Sequence, residues 1–338
     1  MPDKILITGA TGCLGSNLTR RLIAEGADVV ILKRHADPLG PLALLRRSLE
    51  IRFGDIRSLE SVRQAMRGVR YVYHLAGIPI PLNRLEREMW EVNVCGTSNV
   101  CTAALEHGAH RLVHVSSIAA IGYPPHGIPA SESFDFADSV TTNAYSITKK
   151  RGEEIALAFA RLNLDVVVVN PSAVIAQGSN LRYGWAAFVG AVKRGYLQAV
   201  PRGGSGFCAA ADLVNGLLSA MARGQTGERY ILNSENLTYF ELASVISSVA
   251  GVRPPRLIAP HWILKFIGKV NDLGGVLRSD PHDSPMLVSE NVDLASRRLY
   301  YDQSKAVAHL GLTQTPIREA VRELYEWVES KAACAMAA

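Results

Sequence analysis

Short apolar runs alternate with helical patterns from the first residues of the chain. "KILIT" leads into "CLGSNLTRRLIAEG", "DVVIL" and "LEIRFGD" into "SVRQAMRG", and "VRYVYHLAG" into a long helical stretch over about 84–107. The strand "RLVHVSS", a helix over about 143–162 and the strand "DVVVVN" continue the series. Runs of Val, Ile and Leu without strict alternation suit strands covered on both faces, and the intervening helices suit right-handed crossovers. The pattern therefore predicts six parallel strands in an α/β, doubly wound sheet, with helices on both faces and a ligand at the carboxyl ends of the strands.

After Pro171 the rhythm breaks. Residues 171–210 are rich in Gly, Ser and Ala, and 253–300 contain "RPPRLIAP" and "SDPHDSP". Between them "ERYILN" reads as a strand, and "TYFELASVISSVAG" as a helix started by a Thr cap with Glu241 three residues on. "TPIREAVRELYEWVES" is the last helix. The expected organisation is a nucleotide-binding domain over 1–170 and a smaller mixed lobe over 171–338, with segments of about 205–232 returning to the first domain. "IAPHWILKFIGKVNDLGGVL" is interrupted by Pro260, two lysines, Asp272 and glycines, so it does not read as a membrane span. It reads as a packed amphipathic helix, with an interfacial helix as the alternative.

Composition narrows the class only a little. The 338 residues are 48% hydrophobic and 20% charged, enough for a large core and against disorder. The net charge of +5 is dispersed among acids, which argues against a nucleic-acid partner. Cys13, Cys95, Cys101, Cys208 and Cys334 form no C-x-x-C pair, and the start lacks a signal-peptide pattern, so a reducing cytoplasm is expected. His107, His110 and His126 lack ligand spacing, and no metal is expected.

"TGATGCLG", residues 8–15, connects the first strand to the first helix. Gly9 permits a tight turn, Gly12 lets the backbone approach a pyrophosphate, and Gly15 allows the helix to pack closely. Free N–H groups at the helix start would face the anion, with Gly12, Cys13 and Leu14 as binding residues, which points to a dinucleotide.

This loop, with "GDIR" at 54–57, "HLAG" at 74–77, "NVCGTSNV" at 93–100 and "YSITK" at 145–149, resembles the extended short-chain dehydrogenase/reductase family over essentially the whole chain. The resemblance implies a Rossmann-type fold with Asp55 and Ile56 beside the adenine, and Leu75, Ala76 and Gly77 on the adenosine and diphosphate side. Pro171, Ser172 and Val174 would cover the nicotinamide. Asn93 would lie on the helix behind the site, as a brace or as a functional group. Helices at about 84–107 and 143–162 pair between subunits in similar proteins, which implies a homodimer.

Tyr145 and Lys149 are four apart on one helix face. An ammonium beside a phenol lowers the phenol pKa from about 10, so the phenol can exchange a proton with a carbinol near neutrality. The strand "HVSS" ends in Ser116 and Ser117. Ser117 matches the family's catalytic serine and Ser116 the neighbour facing the cofactor. In the reducing direction the resemblance implies hydride transfer to a carbonyl carbon, with Tyr145 protonating the oxygen, Ser117 orienting it and Lys149 holding the nicotinamide ribose.

Within the family the sequence is similar to the dihydroflavonol reductase and 3β-hydroxysteroid dehydrogenase branch, including hopanoid-associated sugar epimerases. Dehydratases carry an Asp-Glu pair where Ile118 and Ala119 stand here, and many epimerases read V-Y-G-P where this chain reads "VIAQG". Lys33 falls where NAD-using relatives carry an Asp, and Arg34 where NADP-using reductases carry an Arg that would grip a 2′-phosphate. The leading expectation is an NADP(H)-dependent reductase or alcohol dehydrogenase acting on a small, largely apolar carbonyl or alcohol, with NAD(H) still open. Trp185, Phe188, Phe207 and Trp262 are its candidate apolar lining, or simply core. The alternatives are a nucleotide-sugar epimerase with tightly bound NAD and a non-catalytic cofactor sensor.

Overall fold

The computed structural model describes residues 3–79, 82–179, 184–195, 197–275 and 287–336. The first half alternates β1 (Lys4–Thr8), α1 (Cys13–Ala24), β2 (Asp28–Lys33), β3 (Glu50–Phe53), α2 (Leu59–Met66) and β4 (Val69–His74). The expected long helix is α3 (Glu86–Met89), a π-helical stretch Trp90–Gly96, and α4 (Thr97–Glu106). Then come β5 (Arg111–Val115), α5 (Ile118–Ile121), α6 (Ala144–Ala160) and β6 (Val166–Pro171).

The central sheet has seven strands rather than six, because β10 (Arg229–Leu232) adds itself beside β6. Its order is β10-β6-β5-β4-β1-β2-β3, all parallel. Alternate residues serve opposite faces. Ile7, Ile31, Tyr73, Val113 and Val167 pack on the side of α1 and α8 (Ala210–Arg223). Leu6, Val30, Val72, Leu112 and Val166 pack on the side of α2, α4 and α6. Both faces are dry, which explains the unbroken Val and Ile runs.

The remaining chain supplies β7 (Ala173–Ile175), α7 (Gly184–Lys193), β8 (Ala199–Val200), β9 (Gly204–Ala209), β11 (Glu235–Thr238) and α9 (Tyr239–Ala250). It continues with β12 (Leu257–Ile258), α10 (His261–Gly275), α11 (Ser289–Ala295), β13 (Arg298–Leu299), α12 (Ser304–Leu310) and α13 (Ile317–Met336). β9 pairs with β7, β11 and β13, and a separate core gathers Phe188, Phe207, Leu242, Ile246, Val321 and Leu324. The capping box at Thr238 and Glu241 forms as the sequence indicates.

One open choice is resolved and one expectation is corrected. Phe188 and Phe207 are core, with Trp185 packed edge-on against both, so these aromatics do not form an accessible apolar lining. The expected packed helix at α10 turns one apolar face outward, with Trp262 71% exposed. Among the described residues no helix is long and apolar enough to cross a membrane.

Candidate active site

The site lies where β1, β4, β5 and β6 end. Gly9 has φ +73°, and a Cβ there would stand 2.6 Å from the Ala76 nitrogen. A Cβ on Gly15 would stand 2.2 Å from the Gly9 carbonyl oxygen. Those two glycines are therefore demanded by the loop itself. Gly12 differs, since its Cβ would meet only the Gly9 oxygen at 3.4 Å. It is also the N-cap of α1 and has no side-chain cap, and the first turn carries no acid. Uncapped N–H groups beside open space make a cradle for an anion. Cys13 Sγ contacts the Gln177 carbonyl at 3.4 Å, which ties the loop to the segment after β7. Leu14 packs into the core of the α1 face.

The β4 end is fastened to the β1 end through a buried polar chain. Leu75 N donates to the Thr8 carbonyl at 3.1 Å, and Ala76 N to Thr8 Oγ1 at 3.3 Å. Thr8 Oγ1 lies 2.7 Å from His74 Nδ1, and His74 Nε2 lies 3.0 Å from Thr97 Oγ1. Thr97 donates to the Asn93 carbonyl at 2.7 Å, so it must accept from His74 Nε2–H, and His74 Nδ1 accepts from Thr8. Burial and the neighbouring Lys149 hold His74 near pKa 3, which keeps this neutral tautomer. Asn93 is a brace: Oδ1 accepts from Ile78 N at 2.8 Å, and Nδ2 donates to Thr148 Oγ1 at 3.2 Å. Gly77 sits against it.

Ser117 caps α5, its Oγ accepting from Ala119 N at 3.1 Å. A capping box at Asn143 and Ser146 starts α6 and sets Tyr145 in its first turn. Residues 145, 149 and 153 then share one face. Lys149 Nζ donates to the Val115 carbonyl at 2.9 Å. Glu153, fully buried, accepts from Asn170 Nδ2 at 2.6 Å and pairs with Arg229 at 2.9 Å. Asn170 Nδ2 also donates to the Ser117 carbonyl at 2.9 Å, so a buried ion pair positions the serine. On another side of α6, Gly152 lets the helix pack closely on the π-helical stretch, since a Cβ there would stand 2.4 Å from the Asn93 carbonyl oxygen.

The proton affinities differ from the sequence expectation. Burial lifts the Tyr145 phenol above its ordinary value of 10.0, and a hydrogen bond with Ser117 works against that rise. The depression expected from the Lys149 ammonium is not found. Burial instead lowers Lys149 itself to about 8, with Glu153 opposing the shift. The structure thus puts the perturbation on the lysine, whose charge is poorly solvated beneath the tyrosine.

Where the family resemblance puts the adenosine, Ile56 is buried against Gly96, and Asn99 Nδ2 holds its carbonyl at 2.8 Å. Asp55 is paired with Arg57 at 2.7 Å, which lowers the Asp55 pKa. Lys33 and Arg34 separate in character. Lys33 is buried, its Nζ donating to the Arg34 carbonyl at 2.7 Å and lying 5.0 Å from the Phe53 ring centre. The Arg34 guanidinium is exposed, with its Nε edge on Asp37 at 3.0 Å.

The residues present fit a dinucleotide. Besides the uncapped α1 start, the buried hydroxyls of Ser116 and Ser172 have no hydrogen-bond partner among the described residues. An unpaired buried hydroxyl costs about 1–3 kcal/mol, which a bound polar group would relieve. Pro171 ends β6 and Ser172 follows it, and Val174 pairs with Cys208 in the smaller sheet.

Sequence reading missed His74, Thr8, Thr97, Glu153, Asn170, Arg229 and Tyr123. The Tyr145/Lys149 spacing could have exposed Glu153, one further turn along. Tyr123 accepts from Asn143 Nδ2 at 3.4 Å and packs in the cluster that also touches Tyr145. Asp212, in contrast, is a structural anchor that accepts from Ser234, Thr313 and Thr315.

Comparison with known proteins agrees with this geometry. Residues 5–233 match the model of the NAD dependent epimerase/dehydratase family. A putative dihydroflavonol 4-reductase of Synechocystis is 29% identical over 98% of this chain and 96% of its own. Sterol demethylase protein B of Methylococcus capsulatus is 30% identical over 96% of this chain and 98% of its own. Among solved structures, gox2253 superposes with a TM-score of 0.80 at 27% identity, covering 97% of this chain and 98% of that one. DesIV, a dTDP-glucose 4,6-dehydratase from Streptomyces venezuelae solved with NAD, gives 0.75 at 21% identity, covering 98% of both, and shares the fold. A family match across most of the chain, with the glycine cradle and the Ser-Tyr-Lys cluster, establishes that this protein is an NAD(P)-dependent enzyme of the epimerase/dehydratase family, of the extended short-chain dehydrogenase/reductase type.

Proposed function

We propose that the protein interconverts a ketone and a secondary alcohol on a small, largely apolar metabolite, using NADP(H). The carrying observation is the convergence of Ser117, Tyr145 and Lys149 on one strand end, with Lys149 fixed on the Val115 carbonyl. When bound, the nicotinamide supplies or takes the hydride. Tyr145 donates its phenolic proton to the substrate oxygen during reduction, and Ser117 donates a hydrogen bond that orients that oxygen. Lys149, titrating near neutrality, supplies positive charge beneath the tyrosinate as it forms. Glu153, Asn170 and Arg229 hold Ser117 by its carbonyl and act as positioning residues.

The apolar substrate class rests on what surrounds Tyr145. One cluster packed on it contains Ile78, Leu82, Met89 and Val288, and the other contains Ile121, Tyr123 and Tyr301. Ile118 and Ala119 offer no acid and base for an elimination. A named relative from Stigmatella aurantiaca is a ketoreductase acting on a farnesylated quinoline oxide, 26% identical over 68% of this chain.

The NADP(H) preference rests on Arg34, because Lys33 has its ammonium occupied by a backbone carbonyl. Titration should give NADP(H) binding at least about tenfold tighter than NAD(H), about 1.4 kcal/mol, and Arg34→Ala should erase most of that gap. Equal affinities, or NAD retained through purification with no net oxidation of substrate, would favour the nucleotide-sugar epimerase reading instead.

A further inference from the structure

The outward face of α10 is an exposed apolar surface, among the described residues, that the reaction does not use. Trp262, Phe266, Ile267, Val270 and Leu273 are 71, 66, 41, 51 and 73% exposed. At about 100° per residue these positions span an arc of about 140° on one side of the helix. Leu264 and Gly268 lie on the opposite side, buried towards the lobe. Leu257 and Ile258 on β12, five and four residues before Trp262, are also more than half exposed. A contiguous apolar face of this kind marks an interaction site rather than scattered surface residues.

The charges around the face point to one occupant. Lys265 and Lys269 border the apolar arc on one side, and Arg253 and Arg256 are exposed on the segment leading into it. The nearby acids are otherwise engaged. Asp293 pairs with His261 at 3.3 Å and with Lys265 at 3.8 Å, and Asp272 accepts from Ser289 N at the start of α11. We propose that α10 docks in the plane of an anionic lipid bilayer, with the Trp262–Leu273 face in the headgroup and acyl boundary and the flanking cations on lipid phosphates.

Trp and Phe on the apolar face, with Lys along its border, are the composition that such helices require. A two-fold contact with a second copy fits less well. It would place the same cationic flank in both halves of the interface and supply no acid opposite it. The docked helix would also lie close to the site. Gly268 lets α10 pack on the start of α11, where a Cβ would stand 2.9 Å from Ser289 N. The adjoining Val288 shares an apolar cluster with Tyr145.

The test is sedimentation of the full chain with vesicles of phosphatidylcholine alone or enriched in phosphatidylglycerol. The parent should pellet with the anionic vesicles at low salt and be released by high salt. The double variant Trp262→Ala/Phe266→Ala should lose about tenfold or more of its partitioning, and Lys265→Gln/Lys269→Gln should weaken binding to anionic vesicles selectively. Near-ultraviolet circular dichroism checks that each variant is folded, independently of any activity. A parent that stays in the supernatant, or an apolar double variant that pellets as well as the parent, overturns the proposal. So does a dimer broken by Trp262→Ala/Phe266→Ala with no vesicle binding, which would assign the face to a second copy.

Discussion

The central sheet and the smaller lobe depart from the ordinary rule of polar outside and apolar inside in opposite directions. At the strand ends the sheet buries His74, Asn93, Thr97, Lys149, Glu153 and Asn170. On α10 the lobe exposes Trp262, Phe266 and Leu273. Buried polar groups are tolerated because nearly each is bonded to the next, and the resulting chain fixes side chains to within a fraction of an ångström. Exposed aromatics bring no such order and have a use only when something covers them. One departure thus builds a reaction site and the other a surface for contact.

Four tests, using six substitutions, separate those meanings, beginning with the largest effect. Tyr145→Phe removes the proton donor and should lower turnover by about 10²–10⁴-fold while leaving cofactor affinity nearly unchanged. Initial rates and a cofactor titration on the same preparation check it, and near-parent turnover would remove this phenol from the chemistry. Next come two aromatics of similar size on the two sides of the lobe. Phe207→Ala should cost about 3–5 kcal/mol in denaturant unfolding, because it empties a fully buried position. Trp262→Ala should stay within about 0.5 kcal/mol of the parent. A large loss at Trp262 would mean that its face is covered within the fold.

The third concerns Lys149. Its folded pKa, about 8, lies below its ordinary value of 10.5, so the unfolded chain binds more protons between those values. Stability should therefore rise with pH across that window, and Lys149→Met should flatten the rise by no more than about 3 kcal/mol. The measurement is the difference between the two unfolding curves against pH, since the buried tyrosines contribute equally to both.

The smallest pair contrasts two glycines of one loop. Gly15→Ala should destabilise the fold by about 1–3 kcal/mol, since its methyl group meets backbone. Gly12→Ala meets only the Gly9 oxygen, at an ordinary contact of 3.4 Å, and should keep stability while weakening the dinucleotide. Equal destabilisation by both would assign Gly12 to packing and leave the cradle without its ligand-specific glycine.

The parts legible in the sequence were those written locally. The strand and helix alternation, the glycine loop and the i, i+4 pair at 145 and 149 each depend on a few neighbouring residues, and six of the seven central strands follow from that alone. The strand Arg229–Leu232 was legible as a strand, in a stretch expected to return to the first domain, yet its pairing with β6 was not, because parallel pairing joins residues that are distant in the chain. The aromatics at 185, 188 and 207 could be read as lining or as core, and only their mutual packing decides for core.

By itself, then, the sequence determined a doubly wound sheet, a glycine loop that opens the first helix and the three side chains that the fold brings to the end of β5. Only the tertiary structure decided that burial lowers Lys149 rather than letting it depress Tyr145, that Glu153, Asn170 and Arg229 hold Ser117, that Lys33 and Arg34 differ, and that α10 faces outward. The physical reason is common to all four. Desolvation, a buried ion pair and an uncovered helix face depend on which distant segments pack together, and residue spacing carries no record of that.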